Sequence, residues 1–279
     1  MHPSAADQHR RGTEFRELHT GPGAFVIPNP WDAGTARLLT GLGFQALATT
    51  SGGLALALGR PDGANLISRE ETLANARDVV GATHLPVTAD LESGFGPTPE
   101  DVAATVRLAA EAGLVGGSIE DAGDDPGDPV LPFGLAVERV RAAVEAARAL
   151  DFPFTVTARA ENFFLGRPDL KDTVRRLQAF EEAGADVLYA PALPDAEAVR
   201  VVCASVGRPV NVLAGAAGLT LSVGELRDLG VRRISLGSAL PRVAMTAVLR
   251  AAQEIRDEGT FGFGPGTLSY RDANRLMEG

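Results

Sequence analysis

Short apolar runs alternate with amphipathic stretches along nearly the whole chain, and the alternation has two recurring forms. In one, a helical pattern ends at a glycine and an apolar run follows at once: LLTGLGFQALATT, LAAEAGLVGGSIE, FEEAGADVLYA and LRDLGVRRISLG. A glycine just past the last turn suits a left-handed helix C-cap. In the other, a proline or turn introduces the run: PGAFVIPN, LPVTADLE, FPFTVTARA and RPVNVLAG; proline is tolerated at a strand's first residue. Interleaved, these predict strands at 24–28, 45–50, 86–90, 115–120, 153–159, 186–190, 209–213 and 233–237.

The runs are continuous rather than alternating, as parallel strands buried on both faces require, and segments such as PEDVAATVRLAAEAG carry apolar residues at three- and four-residue spacing. Eight such units predict one (β/α)8 barrel (TIM barrel) over residues 1–279, with a short N-terminal extension of about 20 residues; a doubly wound open sheet is the alternative. A last helix near 242–258 has no strand after it.

In such a barrel, polar groups at strand C-termini face the active-site mouth. These are Asn29, Trp31 and Asp32; Thr50, Ser51, Gly52 and Gly53; Asp90 and Glu92; Glu120 and Asp121; Arg159, Glu161 and Asn162; Tyr189; Asn211; and Ser235 with Ser238. Asp90 and Glu92 alternate, so both aim inward only if the backbone turns, which Ser93 and Gly94 permit. Crowded carboxylates repel unless a cation holds them, and hard oxygen ligands from several strands suit Mg²⁺, with Mn²⁺ as the substitute.

Composition narrows the chemistry. The chain is 45% hydrophobic with a net charge of −10, and its basic residues are scattered, which disfavours nucleic acid as a partner. No long uncharged apolar run and no signal-peptide core are seen, so a soluble, cytoplasmic protein without membrane contact is expected. His2, His9, His19 and His84 all lie away from strand ends, disfavouring histidine-ligated zinc, and the one lysine, Lys171, follows a polar stretch. Cys203 reads as a small buried residue near a helix end. Acid and base work is left to carboxylates, a tyrosine, a hydroxyl or metal-bound water.

From Asn29 to the helix after Ser238, the sequence resembles the isocitrate lyase and phosphoenolpyruvate mutase superfamily. Asp90, Glu92, Gly94, Phe95 and Gly96 stand in the places of its strand-three signature, TSGG at Thr50–Gly53 in its carboxylate-binding segment, and Glu120 with Asp121 in its Glu-Asp pair. Arg159 fits its substrate-gripping arginine. The resemblance implies that Asp90 binds the metal directly while Asp62, Glu92 and Glu120 bind it through water, that Arg159, Glu120 and Asp62 serve catalysis, and that Trp31, Thr50, Ser51, Gly52, Arg159 and Asn211 bind substrate. It also implies a homo-oligomer, a dimer or tetramer that exchanges its last barrel helix.

Two departures matter. The loop after strand four, EDAGDDPGDPVLPFG, lacks the superfamily lyases' Lys-Arg-Cys-Gly-His segment, and Tyr189, Ala190 and Pro191 replace a glutamate after strand six. The expected activity is therefore Mg²⁺-dependent C–C bond cleavage or decarboxylation of a small 2-oxo or 2-hydroxy (di)carboxylic acid resembling oxaloacetate, 2-oxoglutarate or pyruvate, with the usual isocitrate route absent. The alternatives are phosphonate or phosphomutase chemistry, a non-catalytic 2-oxo-acid-binding barrel, and a sugar-phosphate site on the backbone of Gly215, Gly218 and Gly237. The loop from Asp121 to Phe133 is expected to act as a mobile lid, with most of its acids in solvent and Leu131 or Phe133 as the closing contact.

Overall fold

The computed structural model describes residues 3–125, 127–215 and 219–278. Among these, eight parallel strands form one sheet: β1 (Phe25–Ile27), β2 (Leu47–Ala48), β3 (Val87–Asp90), β4 (Gly116–Glu120), β5 (Thr155–Arg159), β6 (Val187–Tyr189), β7 (Val210–Leu213) and β8 (Arg233–Ser235). The ladder runs β1-β8-β7-β6-β5-β4-β3-β2, and the hoop closes between its ends where the Ala48 amide donates to the Pro28 carbonyl (3.1 Å). This is the (β/α)8 barrel; every expected strand is present, trimmed at its ends.

The helices are α1 (Ala5–Thr20), α2 (Ala33–Gly41), α3 (Ser51–Ala57), α4 (Arg69–Gly81), α5 (Pro99–Glu111), α6 (Phe133–Arg148), α7 (Leu170–Glu182), α8 (Ala196–Ser205), α9 (Val223–Asp228), α10 (Ala239–Glu258) and α11 (Tyr270–Glu278). Local chemistry sets their starts: Ser68, Thr98 and Ser222 form capping boxes, and Pro99 occupies the first turn of α5. The glycines that end four helical patterns, Gly43, Gly113, Gly184 and Gly230, all adopt positive φ. The main core lies between these helices and the outer faces of the strands, built on residues such as Val106, Leu114, Val140, Phe180, Leu188 and Val199.

The N-terminal segment is more than an extension. As α1 it crosses the N-terminal end of the barrel and inserts Phe15, fully buried among Phe25, Ile27, Ala46, Ala48 and Val115. Gln8 anchors it, donating to the carbonyls of Ala110 (2.7 Å) and Leu114 (3.0 Å). Gly116 makes room, since a Cβ there would meet Phe15 Cε1 at 3.1 Å and the Thr155 carbonyl oxygen at 2.8 Å. One end of the barrel is thus sealed, leaving the other for ligands.

The C-terminal segment is also unlike the other helices. α10 buries only Pro241 and exposes Val243, Met245, Val248 and Leu249, while α11, which no periodicity foretold, returns to α2, where Arg37 Nη1 donates to the Met277 carbonyl (2.7 Å). No helix among the described residues is long and apolar enough to cross a membrane.

Candidate active site

The open end of the barrel holds a cleft of about 210 Å³, below the roughly 300–1,000 Å³ usual for drug-sized ligands and suited to a small one. Its geometry starts at β3. The Asp90 amide donates to Thr49 Oγ1 (3.2 Å), and its carboxylate accepts from Ser51 Oγ (2.9 Å) and from the amides of Ser51 and Glu92 (3.3 Å each). Glu92 itself takes φ 48°, so the backbone reverses one residue earlier than Ser93 and Gly94 suggested, and both acids line the cleft. Left-handed backbone at a glutamate is costly and marks a position held by its surroundings.

Asp62 reaches the same space from the loop between α3 and α4. Gly52 allows this approach, because a Cβ there would lie 2.7 Å from Asp62 Oδ2. Thr50 caps α3, accepting from the Gly53 amide (3.3 Å), and Ser51 spends its hydroxyl on Asp90. The TSGG segment therefore positions the acids as well as lining the cleft.

Arg159, at the end of β5, is the hub. Its guanidinium pairs with Glu161 through two contacts, with Glu120 at 3.0 Å and with Asp90 at 3.6 Å, and it lies over the rings of Tyr189 (5.2 Å) and Phe164 (5.6 Å). Glu161 is fixed in turn by Asp121, which accepts from its amide (2.7 Å). The sequence pattern noted Glu161 at a strand end without giving it a role; its spacing of two residues from Arg159 was the available signal.

Deeper in the cleft the polar groups are of another kind. Arg233 Nε donates to Asn211 Oδ1 (2.9 Å) and its Nη2 to Thr157 Oγ1 (3.0 Å), while Asn211 Nδ2 donates to Ser235 Oγ (2.9 Å), beside the Tyr189 phenol. Arg233 begins β8 and escaped the strand-end criterion; two consecutive arginines inside an apolar run, of which only one can face outward, were the clue. On its far side Arg233 Nη1 meets His19 Nε2 (3.5 Å), and burial with the Arg233 charge holds that imidazole neutral, its pKa pushed down to about 3.

Electrostatically the mouth is overloaded. Asp62, Asp90, Glu92, Glu120, Asp124 and Glu161 line it against Arg159 and the deeper Arg233. Burial, then the charges of Asp90 and Asp62, push Glu92 up to about 7; burial, then Asp90, raises Asp62; and burial raises Glu120 well above the usual range despite Arg159. Such acids ask for a further cation. Among the described residues no three Asp, Glu, His or Cys side chains converge on one point.

The remaining expected positions divide. Asn211 lines the cleft, whereas Trp31 does not: half-buried in the loop after β1, it is held by Asn75, which donates to its carbonyl (2.7 Å). Asp121 corrects the expectation of solvent exposure, being 2% exposed and paired with Arg176 (3.0 Å). Its loop is also less free than expected. Val130 is buried and pairs with Ala122 across an antiparallel bridge, Leu131 packs against the core, Asp124 accepts from Asn65 (2.8 Å), and Phe133 begins α6 beneath Arg175 rather than over the cleft. Asn162 is buried against Asp172. Cys203 lies on α8 away from the cleft, where burial pushes its thiol up to about 11. Of the glycines proposed to hold phosphate, Gly237 donates its amide to Asn29 Oδ1 (2.9 Å), and Gly218 lies outside the described residues. Asn29 accepts from the Leu236 amide as well (2.9 Å) and donates to the Thr49 carbonyl (2.9 Å), tying β1, β2 and β8 together at the rim.

The sequence profile of the phosphoenolpyruvate phosphomutase family matches residues 15–256. The chain belongs to that family. Within the isocitrate lyase/phosphoenolpyruvate mutase superfamily, it is similar to the 2-methylisocitrate lyase of Escherichia coli K12, at 30% identity over 265 residues covering 90% of this chain and 86% of that protein. Among solved structures it resembles a Burkholderia cenocepacia J2315 protein provisionally described as a lyase/mutase (56% identity, TM-score 0.96, 98% of each chain). It also resembles oxaloacetate acetylhydrolase bound to its product oxalate (25% identity, TM-score 0.86, 96% of this chain and 94% of that one). As a member of this superfamily of lyases and mutases, the chain is an enzyme, and the cleft above is where its barrel places strand-end chemistry.

Proposed function

We propose that the protein is a Mg²⁺-dependent lyase or decarboxylase that breaks a carbon–carbon bond in a small 2-oxo or 2-hydroxy (di)carboxylic acid. The observation that carries this reading is the surplus of carboxylates around a single arginine at the strand ends, a negative charge that a divalent cation would balance. Asp90 would hold the ion directly, and Asp62, Glu92 and Glu120 through water. When bound, the ion supplies positive charge against the oxygen on which the electron pair of the broken bond collects.

The chain's own residues do the rest. Arg159, held planar between Glu161 and Glu120, faces a substrate carboxylate; Thr50, Ser51 and Gly52 bound the other side; and Asn211 borders the floor. Calorimetric titration of oxalate, a planar stand-in for an oxo-acid enolate, tests the reading. Binding should require Mg²⁺ and vanish with chelator, and a thermal-shift screen of 2-oxo and 2-hydroxy acids should then select substrates for turnover assays. Equal oxalate affinity with and without Mg²⁺ would overturn the proposal, and turnover of a phosphonate alone would assign the site to mutase chemistry.

The tendency to assemble rests on α10, whose Val243, Met245, Val248 and Leu249 stand exposed although the helix follows the last strand. A second copy of the chain, exchanging the same helix, would bury them. Light scattering should give a dimer or tetramer, and a 29.0 kDa particle at micromolar concentration would refute it.

A further inference from the structure

We infer that Tyr189 is the catalytic acid that delivers a proton to the enolate carbon, and that Ser235, Asn211 and Arg233 are positioning residues aiming its hydroxyl; this deepens the lyase reading and rests on it. The loop after β4 offers no Cys, His or Lys, and apart from Ser and Thr hydroxyls the polar side chains lining the described cleft are carboxylates, arginines, amides and this one phenol. Asp62, Asp90, Glu92 and Glu120 would be poor donors, because a bound cation keeps its ligands ionised, while Glu161 is spent on Arg159 and Asp124 accepts from Asn65. Tyr189 is not among them. It ends β6, paired in register with Arg159 on one side and Asn211 on the other, so the strand itself points it into the cleft.

The hydrogen bonds have a direction. Arg233 has only donors, so Asn211 must turn its oxygen to Arg233 and its amide NH₂ to Ser235. Ser235, already accepting from Asn211, keeps its own hydrogen, which can turn to the neighbouring Tyr189 oxygen and leave the phenolic hydrogen for the cleft. Burial pushes the Tyr189 phenol up to about 12, so it keeps that hydrogen at neutral pH. In the step, the phenolic O–H bond breaks and the proton moves to carbon. The enolate's carbon–carbon π pair becomes the new C–H bond, and the O–H pair remains as phenolate, held by the Ser235 hydroxyl and by the Arg159 charge over its ring. Water returns the proton when product leaves.

The test follows hydrogen exchange at the methyl group of pyruvate in D₂O with Mg²⁺, together with oxalate binding. The unsubstituted protein should bind oxalate and exchange the methyl hydrogens. Tyr189→Phe should melt normally and bind oxalate as the unsubstituted protein does, yet exchange more than about 100-fold slower. Tyr189 and Tyr270 are the only tyrosines, so 3-fluorotyrosine incorporated into the Tyr270→Phe chain puts one fluorine on Tyr189. The more acidic phenol should move the alkaline limb of exchange to lower pH, and Ser235→Ala should shift the ¹⁹F resonance of the metal-free protein. Exchange by Tyr189→Phe at the unsubstituted rate, an unmoved alkaline limb, or oxalate binding without any exchange in the unsubstituted protein would each overturn Tyr189 as the acid while leaving oxo-acid binding intact. Absence of Mg²⁺-dependent oxalate binding in the unsubstituted protein would instead sink the functional reading on which it rests.

Discussion

Two arginines line the cleft inside this barrel, and their surroundings are opposites. Arg159 at the mouth sits among Glu161, Glu120 and Asp90, which outweigh the opposing effect of burial and raise its pKa well above the ordinary value, whereas Arg233 below it meets, among the described residues, an amide, a hydroxyl and a neutral imidazole, and burial lowers its pKa to about 10. The mouth has too much negative charge and the floor has an unbalanced positive one. Below Arg233, His19 packs edge-on against Phe15 and Phe25, and the interior becomes apolar. The contrast separates a region arranged for stability from one left electrostatically incomplete, as a site that must admit a charged ligand has to be.

That division can be broken at either end. The largest effect is expected at the mouth, where Asp90→Ala should lower Mg²⁺-dependent oxalate affinity by at least about 100-fold while leaving the melting temperature of the metal-free protein unchanged or raised, since a repelling charge is removed. Calorimetry and a melt on the same sample check both halves. At the floor the signs reverse: Phe15→Ala should cost about 3–5 kcal/mol in chemical denaturation and leave oxalate affinity of the folded protein intact.

A smaller effect concerns pH. The Glu92 carboxyl is pushed from 4.5 to about 7 in the folded protein, so between those values the folded state binds more protons than the unfolded one. Stability of the metal-free protein should therefore fall as pH rises through that window and level off above it. Mg²⁺ should flatten the slope and release protons on binding, and Glu92→Gln should remove this part of the slope; thermal melts in chelator across the window check the sign. Smallest of all, replacing Asp124 and Asp125 together with Asn should leave turnover nearly unchanged, whereas Glu120→Gln should reduce it severely. Equal losses in the two variants would show that the loop after β4 supplies a catalytic carboxylate.

How much of this was legible in the sequence follows from where the information lies. Continuous apolar runs and helix-ending glycines are local, and they located the strands and, through their ends, Asp90, Glu92, Glu120 and Arg159. What escaped depends on contacts between distant segments. α1 carries few apolar residues, and Phe15 acquires its meaning only when Gly116, about a hundred residues away in sequence, leaves space for it. Asp121 looks like its solvent-facing neighbours until α7 brings Arg176 against it. Trp31 is close to a strand end in sequence, but Asn75 on α4 holds its backbone outside the cleft. The left-handed turn at Glu92 has little local signal, since its carbonyl is held by the Glu120 amide (3.0 Å) from the next strand.

The rim residue Asn29 carries a last consequence. Between β1 and β2 the barrel has no continuous ladder, and this side chain bridges the gap by holding the Leu236 and Gly237 amides on one side and the Thr49 carbonyl on the other. Those two amides belong to no helix or strand bond, so their protection from solvent exchange depends on the bridge staying shut. Their exchange rates become a clock for the opening of the seam, readable by mass spectrometry without any ligand. In Asn29→Ala, the same clock should run fast at Leu236 and Gly237 while the amides of β4 and β5, on the opposite wall, keep their original time.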